Sequence, residues 1–321
     1  MSDSAKTIAQ ANTRFATRLA EVLVAKGLRE VVVSPGSRST PLVLGFARQG
    51  GVRMIPVLDE RSADFLALGL ARSTDRPVAL LCTSGSAVAN WFPAVVEAHE
   101  SRVPLLLMTA DRPPELRGCG AGQTIDQEVF YGRFARGFRE YPLPDEVMDG
   151  CWENWLVQDY EHSQGDCPGP VHLNFPFREP LLPPEAETLS LPRDSAESKG
   201  KTDAEKAVLP PALPERWQGS AKTLLIAGPW LGPGETVWTQ WFKDLAVEHG
   251  WPVLADALSP LRHEAGGAFR PIGHYDMVLR DPGKAEALRP ERIIQLGSLP
   301  TSKVLRQLLD EWQTPRLIVD P

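Results

Sequence analysis

Five polar clusters each follow a run of apolar residues, and together they hold the groups that a small acidic ligand needs. In "SPGSRST", residues 34–40, Pro35 and Gly36 set a turn. Ser37, Arg38 and Thr40 then offer hydroxyls and a two-pronged guanidinium at a helix start whose free N–H groups favour a carboxylate or phosphate. The same stretch also reads as a helix cap with a surface arginine. It does not match the P-loop pattern, so a nucleoside triphosphate is not expected. "LDER" places Glu60 where an apolar strand gives way to a helix. That carboxylate either caps the helix or pairs with Arg61, or, if partly buried, holds a proton and exchanges it with a ligand nitrogen. "TSGSAVAN" contributes Thr83, Ser84, Ser86 and Asn90 but lacks the flanking glycines of a nucleophile elbow. "ADRPPELRGCGAGQ" brings Arg112, Arg117 and Gln123 into a glycine-rich loop, and "NFPF" closes the series.

Such clusters act together only if the fold gathers them. The chain of 321 residues suits two domains of moderate size. From Asn12 the apolar positions Phe15, Leu19, Val22 and Leu23 have helical spacing, with Asn12 or Thr13 as the expected cap and Gly27 as the stop. Strands are expected at "REVVV", Val52–Leu58, Pro77–Thr83, Val103–Asp111 and "GPVHLNFPF". Helices are expected near Pro41–Gln49, Ser62–Arg72, Ser86–His99 and Glu146–Gln164. Continuous apolar strands alternating with helices predict an α/β fold, a mainly parallel sheet covered on both faces. In such a sheet ligands sit beyond the carboxyl ends of the strands, which is where all five clusters fall. Residues 183–222, rich in Pro, Ser, Glu and Lys, read as a linker. A second α/β unit follows over 223–321, with strands "TLLIAG", "WPVLAD", "RIIQLGS" and "PRLIVD" and helices at Glu235–His249 and Thr301–Glu311. Its "LLIAGPWLGPGET" imitates a dinucleotide-binding turn, but Pro229 and Pro233 remove amides that would face a pyrophosphate, so a turn without ligand is expected.

Composition removes several alternatives. A net charge of -7 argues against a nucleic-acid surface or an acidic-membrane binder. Cys82, Cys119, Cys151 and Cys167 are far apart, and neither they nor the six histidines show metal-ligand spacing, so no metal site is expected. The nine tryptophans are dispersed and read as packing. No apolar stretch has the length of a signal peptide core or a membrane span, and a reduced, cytoplasmic chain without integral membrane insertion is the expectation.

Taken in order, "SPGSRSTPL", "DERSADFLALGLA", "TSGSAVANWFPAVVEA", "TADRPPELRGCGAGQTI" and "VHLNFPFREPL" resemble the pyrimidine-binding domain of the 2-succinyl-5-enolpyruvyl-6-hydroxy-3-cyclohexene-1-carboxylate (SEPHCHC) synthase family of thiamine diphosphate enzymes, in menaquinone biosynthesis. The resemblance covers 1–182, and 223–321, with "LGSLPTSKVLRQLL", resembles that family's Rossmann-like central domain. It implies two three-layer α/β domains, a transferase, and the decarboxylation of 2-oxoglutarate with addition of the succinyl-semialdehyde carbanion to isochorismate. It further implies that Glu60 is catalytic and hydrogen-bonds the aminopyrimidine of thiamine diphosphate. Pro35, Thr83 and Asn90 would line the cofactor pocket, and Ser37, Arg38, Arg112, Gln123 and Lys303 would bind substrate. Many members have arginine after the central-domain lysine where this chain has Val304, with Arg306 a turn away. The family's diphosphate-binding domain, which holds Mg2+, has no counterpart expected within these residues. An incomplete enzyme that binds its cofactor weakly is therefore expected, one that in complete form is a homodimer or homotetramer. The alternatives are another thiamine diphosphate 2-oxoacid enzyme of the acetohydroxyacid synthase kind, or a non-catalytic Rossmann-like binding module.

Overall fold

The structure, a computed structural model, describes residues 3–146, 151–183, 210, 212–219, 221–230, 235–264 and 266–320. The chain divides into two compact units, Met1–Gly200 and Lys201–Pro321. The expected linker, 183–222, lies largely outside the described residues.

In the first unit the elements run α1 (Asp3–Lys26), β1 (Glu30–Val33), α2 (Thr40–Ala47), β2 (Arg53–Pro56), α3 (Glu60–Thr74), β3 (Val78–Cys82), α4 (Ser86–Asn90), α5 (Phe92–Glu100), β4 (Leu105–Asp111), β5 (Gly137–Glu140), α6 (Cys151–His162) and β6 (Pro170–Pro176). The strands form one parallel sheet in the order β2-β1-β3-β4-β6-β5. β1, β3, β4 and β6 are buried along their whole length, as strands with helices on both faces must be. One apolar layer packs α1, α2 and α6 through Phe15, Leu19, Leu23, Phe46, Trp152 and Leu156. The opposite layer packs α3, α4 and α5 through Ala63, Ala67, Val88, Trp91 and Val95. Each such large side chain contributes about 1.5–3 kcal/mol on burial.

Three local expectations are corrected. α1 starts well before Asn12, which is no cap: it is fully buried and donates Nδ2 to the carbonyls of Arg178 (3.0 Å) and Pro180 (3.1 Å). The single helix expected over Ser86–His99 is two, because Pro93 has no N–H to give and the chain turns at Trp91. β5 is an additional edge strand between β4 and α6, where the sequence predicts no element.

The second unit repeats the plan with β7 (Thr223–Ala227), α7 (Glu235–His249), β8 (Val253–Ala255), β9 (Pro271–Ile272), α8 (Tyr275–Leu279), α9 (Pro282–Leu288), β10 (Arg292–Leu296), α10 (Lys303–Trp312) and β11 (Arg316–Val319). Its parallel sheet is ordered β11-β10-β7-β8-β9. One core face is built on Phe242 and Leu245 of α7, the other on Tyr275, Leu279, Leu305 and Trp312. β9, α8 and α9 were not expected from the sequence; they occupy the stretch between "WPVLAD" and "RIIQLGS". The glycine-rich turn after β7 lies partly outside the described residues, Pro233 included. Gly228 serves packing: a Cβ there would lie 2.0 Å from the Ser298 carbonyl oxygen.

Candidate functional site

The order β2-β1-β3-β4-β6 makes the five clusters neighbours, since each follows one of these adjacent strands. The chain progresses outward in opposite senses from β1 and β3, so the crevice between them is the switch point at which open α/β sheets bind ligands. The two loops meet closely there. A Cβ on Gly36 would fall 2.4 Å from Thr83 Cβ, so only glycine lets "SPGSRST" rest on buried Thr83. Gly85, at φ 80°, is likewise pressed against Gln123, whose Cγ would lie 2.8 Å from an added Cβ.

Arg38 is not a surface arginine. It is 5% exposed, donates Nη1 to the Phe177 carbonyl at 3.0 Å and Nη2 to Glu179 Oε1 at 2.7 Å, and leaves Nε buried without a partner. Burial, then the charge of Arg112, lowers its pKa from the usual guanidinium value, though a guanidinium stays charged in proteins. Two like charges close together in a half-buried crevice attract an anion. Arg112 donates Nη1 to Ser84 Oγ, and that hydroxyl donates to the Gln123 carbonyl at 2.9 Å. Gln123 Nε2 returns to the Ser84 carbonyl at 3.0 Å. Among the described residues no carboxylate lies within ion-pair range of Arg112.

Helix α2 begins at Thr40 rather than at Ser37, and Ser39, its cap residue, makes no side-chain cap bond. Pro35 and Ser37 are exposed, and Ser37's carbonyl accepts from Thr40 N (3.1 Å) and Thr40 Oγ1 (2.6 Å). The guanidiniums, not the helix end alone, therefore carry the anion preference.

Glu60 is the first residue of α3 and half-buried. The capping role falls to its neighbour: Asp59 accepts from Arg61 N at 2.9 Å and pairs with the Arg61 guanidinium at 2.6 Å. Glu60 Oε2 instead accepts from Asn90 Nδ2 at 3.3 Å, joining the β2 end to the β3 end. Buried Cys82 lies close enough for burial and then the Glu60 charge to hold its thiol protonated.

Behind Arg112 runs a buried polar network that the sequence does not reveal. Gly85 N donates to Gln127 Oε1 (2.9 Å), and Gln127 Nε2 donates to Asn174 Oδ1 (2.8 Å). Asn174 Nδ2 reaches Asp111 Oδ2 (3.0 Å) and Glu140 Oε2 (3.1 Å), while Arg117 pairs with both carboxylates and gives Nε to the Arg112 carbonyl at 3.2 Å. Burial raises the Asp111 pKa, opposed by Asn174 and Arg117. The only hint in the sequence is polar residues within apolar strands: Asn174 in "VHLNFPF" and Thr109 in "LLLMTAD".

Lys303 opens α10 of the second unit and is exposed, lining a cavity of about 550 Å³ with Asp256, Arg262, Tyr275 and Thr301. Val304 packs on that unit's core, and Arg306 Nη2 donates to the Thr301 carbonyl at 3.4 Å. Among the described residues no group of three or more His, Cys, Asp or Glu gathers as a metal site would, and no helix is long and apolar enough to cross a membrane.

Residues 13–130 match the family described as thiamine pyrophosphate enzyme, N-terminal TPP binding domain. Over 322 aligned residues the chain is 45% identical to the SEPHCHC synthase of Nostoc sp., covering 97% of this chain and 55% of that protein. The synthase of Synechococcus elongatus is also 45% identical, over 97% of this chain and 54% of its own length. The chain thus spans about half the length of the curated relatives it matches. A crystal structure of benzoylformate decarboxylase from Polynucleobacter necessarius superposes with a TM-score of 0.59 at 19% identity, covering 88% of this chain and 51% of that one, a likeness of fold.

Proposed function

We propose that this chain belongs to the thiamine pyrophosphate enzymes and forms the pyrimidine-facing and carboxylate-binding part of a SEPHCHC synthase. The observation that carries the reading is the joining of Arg38, Ser84, Arg112 and Gln123, from the ends of β1, β3 and β4, beside the Glu60–Asn90 pair. The substrates would be isochorismate and 2-oxoglutarate, both carboxylates.

The donor set fits thiamine diphosphate. Asn90 fixes one oxygen of Glu60, and Oε1 has no hydrogen-bond partner among the described residues, so it is available to a ring nitrogen. When bound, the cofactor supplies the electron sink for decarboxylation. Glu60 holds and exchanges the proton at the aminopyrimidine nitrogen. Pro35, Thr83 and Asn90 would line the ring pocket. Arg112, free of a carboxylate partner among the described residues, takes the substrate acid with Arg38, Ser37 and Gln123 around it. Lys303 is assigned to substrate by resemblance. Mg2+ belongs with the diphosphate, held by residues other than those placed here. The domain division at 1–182 and 223–321, a homodimer or homotetramer, and a cytoplasmic location complete the proposal.

The test is substrate choice by a full-length synthase containing residues 1–321. The expected result is carbon dioxide release from 2-oxoglutarate in preference to pyruvate, and SEPHCHC formation on adding isochorismate. Preference for pyruvate, with isochorismate without effect, overturns the reading.

A further inference from the structure

Arg38 and Arg112 are neighbouring like charges, yet they are partnered unequally. Among the described residues Arg112 has a hydroxyl and no carboxylate, whereas Arg38 already holds Glu179. The two ends of that ion pair differ sharply: the Arg38 side chain is 6% exposed and the Glu179 side chain 69% exposed. Arg38 is fixed by burial and by the Phe177 carbonyl. Glu179 can swing into water, because its side chain is largely solvated while that of Arg38 is not. Arg38 Nε, buried and unpaired, shows that Glu179 does not satisfy the guanidinium fully.

We propose that Glu179 is a displaceable internal counter-ion, which neutralises Arg38 in the ligand-free chain and yields its position to the carboxylate of the substrate acid. The inference rests on the synthase reading of Arg38 and Arg112 and deepens it. Trading Glu179 for another carboxylate at Arg38 alone gains nothing. A net gain arises only when the incoming carboxylate also reaches Arg112, whose charge no carboxylate among the described residues answers. Glu179 therefore acts as a specificity determinant, excluding neutral ligands and any acid that cannot touch both guanidiniums.

The test is calorimetric titration of isochorismate into the 321-residue chain and into its Glu179→Gln, Glu179→Ala and Arg112→Ala variants. Thermal melts of each serve as the check on folding. The expected result is that both Glu179 variants bind about fivefold more tightly than the parent, since no internal carboxylate then competes for Arg38. Arg112→Ala binds at least tenfold more weakly. If the parent binds in an Arg112-dependent way but the Glu179 variants bind equally or more weakly, Glu179 is a support for Arg38 and the inference fails alone. If neither parent nor variants bind, or Arg112→Ala binds as the parent does, the carboxylate clamp itself is contradicted and the displacement with it.

Discussion

The strand ends of the two units differ in what their polar groups already have. Both units are parallel sheets between helices, and both put acids, hydroxyls and basic residues just beyond the strands. In the second unit Asp256, after β8, is 1% exposed and answered from within: it accepts from Tyr275 Oη (2.9 Å), Thr301 N (2.9 Å), Thr301 Oγ1 (2.9 Å) and Leu258 N (3.2 Å). In the first unit two arginines repel, one buried Nε is unanswered and, among the described residues, no carboxylate pairs with Arg112. The same architecture thus closes one set of ends on itself and leaves the other waiting for an anion. A polar cluster at a strand end is evidence of a ligand only when its hydrogen bonds do not close locally.

That contrast can be broken most forcefully at Glu60. In a full-length synthase containing this chain, Glu60→Gln should lower kcat by about a hundredfold or more while the melting temperature stays within a few degrees. Unchanged turnover would leave Glu60 with its hydrogen bond to Asn90 and no chemical role. Arg112→Ala should raise the KM for isochorismate by roughly ten- to a hundredfold, the value of a charge-assisted hydrogen bond, with a smaller effect on kcat. An equal loss in both constants would point instead to collapse of the Ser84–Gln123 loop.

The second unit gives the opposite expectation. Asp256→Ala leaves the buried Tyr275 hydroxyl without its acceptor and should destabilise the chain by about 1–3 kcal/mol in urea unfolding, with a smaller effect on isochorismate affinity than Arg112→Ala. A change in affinity with no loss of stability would reverse the contrast between the units.

The smallest effect is a pH dependence away from the site. Asp64 of α3 is fully buried, accepts from Phe65 N at 2.6 Å, and burial raises its carboxyl to about 7. The folded chain then binds more protons than the unfolded chain between the ordinary carboxylate range and pH 7, so Asp64 costs stability progressively as pH rises through that window. Asp64→Asn should therefore stabilise the chain more at pH 8 than at pH 5, by roughly 1 kcal/mol or more in the difference between urea midpoints converted with a common slope. Equal effects at both pH values would mean that Asp64 ionises normally. His172 slopes the other way: burial lowers it to about 3, so its contribution is lost as pH falls below the ordinary histidine range, and both pH values chosen for Asp64 should be compared within one variant pair.

The sequence made the sheet legible because β1, β3, β4 and β6 are continuous apolar runs, and such runs belong to strands covered on both faces. The residues after them were legible for the same reason, since a run of Val or Leu ending in Ser, Arg or Asn marks the place where the chain leaves the core. β5 was not legible: "GFRE" is four residues at a sheet edge, with no apolar run to announce it. Asn12 reads as a cap because Asn is common at helix starts, whereas its carbonyl partners lie 166 and 168 residues away. Distance in sequence also hid the network of Gln127 and Asn174, 47 residues apart, and hid Glu179 as the partner of Arg38. Types of residue announce a capacity for hydrogen bonding. Only the fold decides whether that capacity is already spent.

The most direct measurement is a crystal structure of the chain soaked with isochorismate. The account predicts a substrate carboxylate within about 3 Å of guanidinium nitrogens of both Arg112 and Arg38, the span of a charge-assisted hydrogen bond, in the crevice between the ends of β1, β3 and β4. Isochorismate bound away from both arginines, with each keeping its ligand-free partners, would contradict it.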